Sequence, residues 1–245
     1  MSLMLNADLG ETVVDSELVG ADEAVMPYIH QASIACGYHA GDHLIIQRTL
    51  NLAAKYSVMV GAHPGYLDRE GFGRRSMTCS NDELVALMHY QISALDGMSR
   101  SQNLSLSYVK PHGALYNDMM VDDQLRRAVM LSVAGFYRPI HLVLQATPEA
   151  ELHRREAEAL GVTLWFEAFA DRRYDSNGML VPRSEPGAVH DRKTTLAQVK
   201  QLKRYGSVTT EDGDSLFIKA DTLCIHGDNP ESVAVIREIR ALLEQ

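Results

Sequence analysis

Short apolar runs alternate with amphipathic helical patterns along the chain. The apolar runs have the length and composition of buried strands, and they occupy residues 3–6, 31–36, 58–61, 106–110, 140–145, 163–166 and 222–226. Helical patterns occupy residues 43–56, 81–97, 148–160, 190–205 and a last stretch that begins near Pro230. Strands that alternate with helices predict βα units around a parallel sheet. Seven such units predict a (β/α) barrel, with a doubly wound sheet as the competing arrangement.

Two segments interrupt this alternation. Residues 207–221 place Asp212-Gly213 between two β-rich runs, which predicts an added hairpin. Residues 174–190 are rich in glycine and proline and predict a long irregular loop, a kind of segment that is often functional. No low-complexity linker divides the sequence, so residues 1–245 are expected to form a single domain.

Local signals predict where some helices begin. Ser80 and Glu83 have the spacing of a capping box before the helix over 81–97. Thr147 followed by Pro148 predicts an N-cap at position 147 for the helix over 148–160.

Composition and charge narrow the function classes. The 245 residues are 46% hydrophobic and 22% charged, which excludes a largely disordered chain. Lys and Arg number 23 against 32 Asp and Glu, and this net charge of −9 argues against binding to nucleic acid or to an anionic membrane. The first residues carry Asn6, Asp8 and Glu11 where a signal peptide would be apolar, and no run is long enough to span a membrane. A cytoplasmic enzyme is therefore expected.

Polar and charged residues follow six of the seven predicted strands. The strand ends read NADLGE (6–11), CGYHAGD (36–42), GAHPG (61–65), KPHG (110–113), a sixth that leads into Glu167, Asp171 and Arg172, and HGDNP (226–230). The carboxyl ends of parallel strands share one face in α/β folds, and active sites form there. The sequence therefore predicts one shared pocket that contains carboxylates, histidines and a lysine.

Each of these residues also has a structural interpretation. Asp8 can cap a turn, and Asp42 and Asp228 can be helix N-caps. A single histidine at a strand end is more often structural than catalytic, but four of the ten histidines lie at strand ends. The sequence contains no GxxxxGK[ST], GxGxxG or GxSxG motif, so it lacks the usual phosphate-binding loops and the serine hydrolase elbow.

Seven longer motifs give the chain a recognisable resemblance. They are LNADLGE (5–11), ASIACGYHAGD (32–42), GAHPGYLDREGFGRR (61–75), YVKPHGALYN (108–117), EAFADRRY (167–174), LVPRSEPGA (180–188) and CIHGDNP (224–230). The chain resembles the LamB/YcsF family over nearly its whole length. The resemblance implies a seven-stranded (β/α) barrel of the deacetylase-like kind. It also implies ATP-dependent opening of the 5-oxoproline lactam to L-glutamate, carried out together with subunits B and C of a 5-oxoprolinase.

The resemblance also implies which residues form the site. The expected catalytic residues are Asp8, His39, His63, Lys110, His112 and His226, and the expected substrate-binding residues are Glu11, Glu167, Asp171, Arg172 and Asp228. Asp8 or a nearby histidine would orient or deprotonate water, and His112 or His226 would deliver a proton to the leaving nitrogen. Lys110 and Arg172 would bind the substrate carboxylate or a phosphate. ATP is expected to act in the complex, since the chain lacks a P-loop.

Two alternatives remain open at this stage. The first is a metal-dependent, deacetylase-like amidohydrolase in which Asp8, His39, His63 and His112 hold a divalent ion that activates water. The second is a non-catalytic subunit that binds the lactam and presents it to its partners. Loss of turnover with intact substrate binding in an Asp8→Ala or His112→Ala variant would count against the second.

Overall fold

Seven parallel strands close into a barrel in the computed structural model, which describes residues 3–11, 21–225 and 230–244. Their bounds are β1 Met4–Leu9, β2 Gln31–Ala35, β3 Met59–His63, β4 Leu106–Val109, β5 His141–Gln145, β6 Thr163–Phe169 and β9 Thr222–Cys224. The barrel strands follow one another around the barrel in chain order, and β1 pairs with both β2 and β9 to close it. The predicted seven-stranded (β/α) barrel is confirmed, and the doubly wound sheet is wrong.

Helices surround the barrel. They are α1 Ala21–Val25, followed by a short 3₁₀ turn over Met26–Tyr28, then α2 His43–Tyr56, α3 Asn81–Ser101, α4 Gly113–Val121, α5 Asp123–Ala134, α6 Ala150–Glu158, α7 Arg192–Tyr205 and α8 Pro230–Glu244. All five predicted helices are present, but α1, α4 and α5 were not predicted. In α4, apolar residues are distributed without a clear polar face, and Asp122 ends α4 while it caps α5. Because α4 has no polar face and Asp122 alone separates the two helices, the stretch does not show two distinct amphipathic periods.

Two predicted helix starts can be compared with the structure. The capping box is confirmed, because Ser80 accepts from the Glu83 N–H and the Glu83 side chain accepts from the Ser80 N–H. The Thr147 N-cap is wrong, because α6 begins at Ala150 and has Glu149 in the N-cap position. Thr147 Oγ1 instead accepts from the Glu149 N–H at 3.2 Å, so it stabilises the turn that precedes the helix.

Three strands extend beyond the carboxyl ends of their apolar runs, and one of them is β3, which reaches His63 where its run ended at residue 61. The run over 3–6 becomes a strand that reaches Leu9, and the run over 163–166 becomes one that reaches Phe169. Polar residues inside the barrel explain the difference in β1 and β6: Asn6 donates from Nδ2 to Glu167 Oε1 at 2.9 Å and to Thr222 Oγ1 at 2.8 Å. Asn6 and Glu167 therefore lie within strands, where a buried hydrogen-bond network replaces apolar packing.

The two interrupting segments follow the predictions. β7 Ser207–Thr209 and β8 Ser215–Phe217 pair antiparallel and form the added hairpin. Residues 174–190 contain neither a helix nor a strand, and isolated bridges such as Arg172 to Val189 fold this loop back onto the end of β6. Across the described ranges, no helix is both long and apolar enough to cross a membrane.

Candidate functional site

A cavity of about 450 Å³ opens at the carboxyl ends of the barrel strands. Six of the residues predicted for catalysis or substrate binding border it, of which Arg172 follows β6 and the other five lie on three other strands and the loops that follow them. These five are Asp8 and Glu11 after or within β1, His63 at the end of β3, and Lys110 and His112 after β4. The structure therefore brings together residues that are more than 100 positions apart in the sequence, as the pattern of strand ends predicts.

Three histidines and a glutamate form one compact group, termed here the histidine cluster. Its members are Glu11, His39, His63 and His112, and their nearest ligand-type atoms all lie within 4.8 Å of one another. Glu11 Oε1 lies 3.0 Å from His39 Nε2, 3.1 Å from His112 Nδ1 and 3.6 Å from His63 Nε2. The rings of His39 and His112 stack with their centroids 3.7 Å apart. All three histidines are buried, so their orientation is fixed by packing.

Main-chain carbonyl groups set the tautomers of two histidines. His63 Nδ1 lies 2.6 Å from the Lys110 carbonyl oxygen, and His112 Nε2 lies 2.8 Å from that of Phe72. A carbonyl oxygen only accepts, so each of these nitrogens carries the proton. In the neutral rings the lone pairs therefore belong to His63 Nε2 and His112 Nδ1, which lie 2.9 Å apart and face Glu11. Such an arrangement of acceptors requires a cation, either a proton or a metal ion.

The electrostatics of the cluster agree with its geometry. Burial acts to raise the pKa of Glu11, but the interactions with His112 and His39 outweigh it and hold that pKa well below its ordinary value. Burial lowers the pKa of His63 to about 3, against the opposing pull of Asp8. Glu11 is therefore a carboxylate and His63 a neutral imidazole near neutral pH. These are the protonation states that metal ligands need.

The donor set fits a transition metal. Three imidazole nitrogens and one carboxylate oxygen are typical ligands for zinc and its neighbours. Carbonyl acceptors behind His63 and His112 are the usual outer partners of metal-bound histidines. His39 Nδ1 is buried without a hydrogen-bond partner in the described part of the chain. The predicted ligand set contained Asp8, whereas the compact cluster contains Glu11 in that place.

Two glycines leave room for the histidine rings. A Cβ atom on Gly73 would lie 2.7 Å from His39 Cβ and 2.8 Å from His112 Cδ2. A Cβ atom on Gly65 would lie 2.9 Å from His39 Nδ1. Gly73 also has a φ of +64°, a conformation that other residues rarely adopt. The glycine-rich motif over 61–75 thus serves to pack a loop closely against the cluster.

Lys110 lies at the centre of a second buried network. Its Nζ lies 2.8 Å from Asp8 Oδ1, 2.8 Å from Glu167 Oε1 and 3.2 Å from Asn6 Oδ1. Burial acts to lower the pKa of Lys110, but the neighbouring carboxylates outweigh it and hold that pKa well above its ordinary value. Tyr116 donates its hydroxyl to Glu167 Oε2 at 3.0 Å and completes the network. Lys110 is therefore a charged ammonium group at the wall of the cavity.

Asp8 joins the two groups. Its Oδ1 accepts from Lys110, and its Oδ2 lies 3.4 Å from His63 Nε2. The cavity is thus bordered by a carboxylate that is held between an ammonium group and a neutral imidazole. A carboxylate and an imidazole in this relation can orient and deprotonate a water molecule.

The remaining predicted residues occupy different places. Glu167 is fully buried behind Lys110, and Asp171 is buried; neither borders the cavity, whereas Arg172 does. His226 and Asp228 lie outside the described residues. Asp42 is the N-cap of α2, where it accepts from the Leu44 and Ile45 N–H groups.

The sequence interpretation missed several residues of the site. Asn6 and Tyr116 support Lys110 and Glu167, and Phe72 orients His112 through its main-chain carbonyl. Arg183, in the long irregular loop, also borders the cavity. Asn6, Tyr116 and Arg183 lie inside the quoted motifs, so the motifs themselves were the available signal. A main-chain contact such as that of Phe72 leaves no signal in residue type.

Comparisons with known proteins agree with this architecture. The chain matches the LamB/YcsF family over residues 3–245. It is 51% identical over 238 residues to a protein of Chromohalobacter salexigens named as the A subunit of 5-oxoprolinase, with 97% of this chain and 95% of the relative covered. A Pseudomonas fluorescens protein of the same name is 49% identical over 244 residues, with 99% of this chain and 97% of the relative covered.

A solved structure is similar over the entire barrel. The lactam utilization protein from Thermus thermophilus superimposes with a TM-score of 0.90 at 38% identity, covering 100% of this chain and 97% of that one. Sequence and structure thus match over the full extent of the chain, and the chain belongs to the LamB/YcsF family.

Proposed function

We propose that this chain is the A subunit of an ATP-dependent 5-oxoprolinase, which opens the 5-oxoproline lactam to L-glutamate together with subunits B and C. The observation that carries the proposal is the convergence of Asp8, Lys110 and the histidine cluster on one cavity. The names of the relatives support it, since they refer to lactam utilization and to one subunit of 5-oxoprolinase. The word "subunit" in those names supports action within a complex.

The chemistry of the substrate explains why ATP and partners are needed. A lactam amide is a poor electrophile, and phosphorylation of the amide oxygen would activate its carbon toward water. This chain has no GxxxxGK[ST] or GxGxxG motif. We therefore assign nucleotide binding to the assembled complex and attack by water to the cavity of this chain.

Each residue at the cavity has a separate role in hydrolysis. Asp8 orients a water molecule, because Lys110 fixes one of its oxygens at 2.8 Å and leaves the other facing His63. His63 accepts the proton at Nε2, since its Nδ1 is already engaged with a carbonyl oxygen. His112 is the candidate for proton delivery to the leaving nitrogen, a role that His226 was also predicted to fill. The ammonium group of Lys110 stabilises negative charge that develops on the substrate.

A second candidate function is a metal-dependent amidohydrolase. The facing lone pairs of His63 and His112 favour it, together with the carboxylate of Glu11 at 3.1 Å from His112 Nδ1. Glu11, His39, His63 and His112 would hold the ion. A bound divalent ion would supply Lewis-acid activation of water. With an ion bound, the Nε2 lone pair of His63 would be occupied, and Asp8 would then be the group that deprotonates water. Metal content combined with ATP dependence separates an amidohydrolase that acts alone from one component of the complex.

The proposed function is tested by reconstitution. Glutamate formation from 5-oxoproline and ATP is measured with this chain alone, with subunits B and C of the same genome alone, and with all three. Turnover that needs all three supports the proposal. ATP-independent turnover by this chain alone supports the amidohydrolase. No turnover in any mixture of folded subunits would overturn the 5-oxoprolinase assignment.

A further inference from the structure

Two arginines that border the cavity have no carboxylate partner among the residues that the structure describes. Arg172 follows β6 and is only 7% exposed, and Arg183 is half-buried in the loop over 174–190. Within the described ranges, neither forms an ion pair. In the described part of the chain, the hydrogen bonds of the Arg172 guanidinium go to main-chain oxygens, from Nη2 to Val181 at 2.7 Å and from Nε to Ala188 at 3.4 Å. A buried charge without an ionic partner is costly, and an anionic ligand removes that cost.

The guanidinium groups of Arg172 and Arg183 repel each other. Burial is the largest cause that lowers the pKa of Arg172, to about 10, and repulsion from Arg183 is the next. Asp171 pulls in the opposite direction but does not compensate. The positive charge at this wall of the cavity is therefore in excess.

The acidic residues that border the cavity are committed elsewhere. Asp8 pairs with Lys110, and Glu11 belongs to the histidine cluster. Asp118 accepts from the Tyr66 hydroxyl at 3.1 Å and from the Ser76 hydroxyl at 2.9 Å. Among the described residues, the cavity thus has a neutralised end at Asp8 and Glu11 and a wall at the two arginines where no carboxylate balances the positive charge.

Arg172 is also held in place. Gln198 donates from Nε2 to the main-chain oxygens of Phe169, Ala170 and Arg172, at 2.8, 3.2 and 2.9 Å. The Arg173 N–H donates to Ala188 at 3.0 Å, which fixes the loop against the same segment. A guanidinium group on a fixed backbone loses little freedom when it binds, so the site is prepared for a ligand.

Apolar side chains complete this part of the cavity. Phe169, Met179, Leu180 and Pro182 border it beside the arginines. This combination suits a small ligand that has an anionic oxygen group at one end and methylene groups in its body.

We propose that Arg172 and Arg183 form an anion subsite that holds an anionic oxygen group of the ligand while its reacting end faces Asp8 and the histidine cluster. The proposal rests on the proposed function, in which that group is the carboxylate of 5-oxoproline or a phosphate group. Guanidinium groups bind both through paired N–H donors. Arg183 thereby becomes a specificity-determining residue of the cavity.

Calorimetric titration of the full chain with three probes tests the subsite. The probes are 5-oxoproline, 2-pyrrolidinone, which has the same ring without the carboxylate, and inorganic phosphate. We expect 5-oxoproline to bind at least about tenfold more tightly than 2-pyrrolidinone, and Arg183→Gln to remove that difference. Arg48→Gln, an exposed arginine on α2 that does not border the cavity, is the matched control and should keep it. Arg172→Lys retains the charge but loses the planar fork, so its preference for 5-oxoproline over 2-pyrrolidinone should lie between those of Arg183→Gln and Arg48→Gln.

The arms of the experiment separate the two anions. Phosphate binding that Arg183→Gln abolishes, without a preference for 5-oxoproline, supports the subsite and assigns it to a phosphate group. Equal binding of 5-oxoproline and 2-pyrrolidinone with no phosphate binding overturns the subsite. So does an Arg183→Gln chain that folds normally and binds both anions as the unmodified chain does.

Turnover in the reconstituted complex keeps the two proposals distinct. If Arg183→Gln leaves both kcat and KM for 5-oxoproline unchanged in an active complex, the subsite fails and the proposed function stands. If anion binding depends on Arg183 but no mixture of subunits forms glutamate, the subsite stands and the proposed function fails.

Discussion

His63 Nε2 and His112 Nδ1 lie 2.9 Å apart, and the other nitrogen of each ring faces a main-chain carbonyl oxygen. The carbonyls fix the two tautomers, so in the neutral state two lone pairs face each other beside the Glu11 carboxylate. The two lone pairs and the carboxylate repel one another unless a positive charge lies between them. This arrangement also fixes where a proton or a metal ion would lie during the reaction.

The cluster predicts a metal-binding stoichiometry and a ligand set. Protein stripped with a chelator should bind one Zn²⁺ per chain in calorimetry. Glu11→Gln should weaken binding by at least about tenfold, because it replaces a charged ligand by a neutral amide. Asp8→Asn is the matched comparison, since Asp8 pairs with Lys110 and should affect zinc much less. Zinc binding lost with Asp8→Asn but kept with Glu11→Gln would show that the ligand set is wrong.

Acid should destabilise the metal-free protein. The pKa of His63 is lowered by burial to about 3, whereas an unfolded histidine titrates near about 6.5. Between these values the unfolded chain binds one proton more than the folded chain. The free energy of unfolding therefore keeps its full value above about pH 6.5 and falls by about 1.4 kcal/mol per pH unit below it. The pKa of His39 is lowered as well and acts in the same direction.

Urea unfolding of chelator-treated protein at about pH 7.5 and about pH 5.5 measures this loss. In a His63→Asn variant, the pH dependence of the free energy of unfolding should decrease by about one proton. Identical pH dependence in the two proteins would contradict the assignment of a neutral, buried His63.

Gly73→Ala should damage the site through the histidines. The added methyl group would meet His39 and His112 at less than 3 Å, on a backbone with a φ of +64°. We expect lower stability by about 1–3 kcal/mol and weaker zinc binding. Gly97→Ala is the control, since that exposed position lies inside α3 with nothing within 4 Å of the new methyl group. It should raise the free energy of unfolding by up to about 1 kcal/mol, and equal effects of the two changes would contradict the packing argument.

Lys110→Met should be strongly destabilising. It removes the ammonium group between Asp8 and Glu167 and leaves two carboxylates without their cation. We expect a loss of about 3–5 kcal/mol in the free energy of unfolding, against less than about 0.5 kcal/mol for Lys200→Met on the exposed face of α7. Adding Glu167→Gln to Lys110→Met should recover part of the loss, because only one carboxylate remains. A Lys110→Met chain as stable as the control would show that the network is not charged.

The barrel could be predicted because its signal is repeated. The sequence repeats one βα unit, with seven apolar runs and polar residues after six of them. A local error, such as the predicted N-cap at Thr147, therefore does not alter the predicted topology. The position of each strand end is less predictable. Asn6, Asp8 and Glu167 are polar yet lie within strands, since they bond to one another or to Lys110 in the barrel interior.

The sequence predicts which residues form the site but not how their side chains are arranged. The strand ends indicate which residues meet, but they do not separate Glu11, which contacts the histidines, from Asp8, which contacts Lys110. That distinction depends on the turn after β1 and on side-chain packing. Glu167 was expected to bind substrate, whereas it lies behind Lys110, because the depth of a residue along its strand decides whether its side chain reaches the cavity.

The central claim is that the lactam is opened in the cavity at the histidine cluster. The most direct test is glutamate formation by the complete complex with subunits B and C, in which this chain carries His63→Asn. Size-exclusion chromatography and 5-oxoproline binding are measured on the same samples, and Gly97→Ala is the control. The account predicts an assembled complex that binds 5-oxoproline but forms glutamate at least about a hundredfold more slowly. Glutamate formation at the unmodified rate would contradict it and would place the chemistry on another subunit.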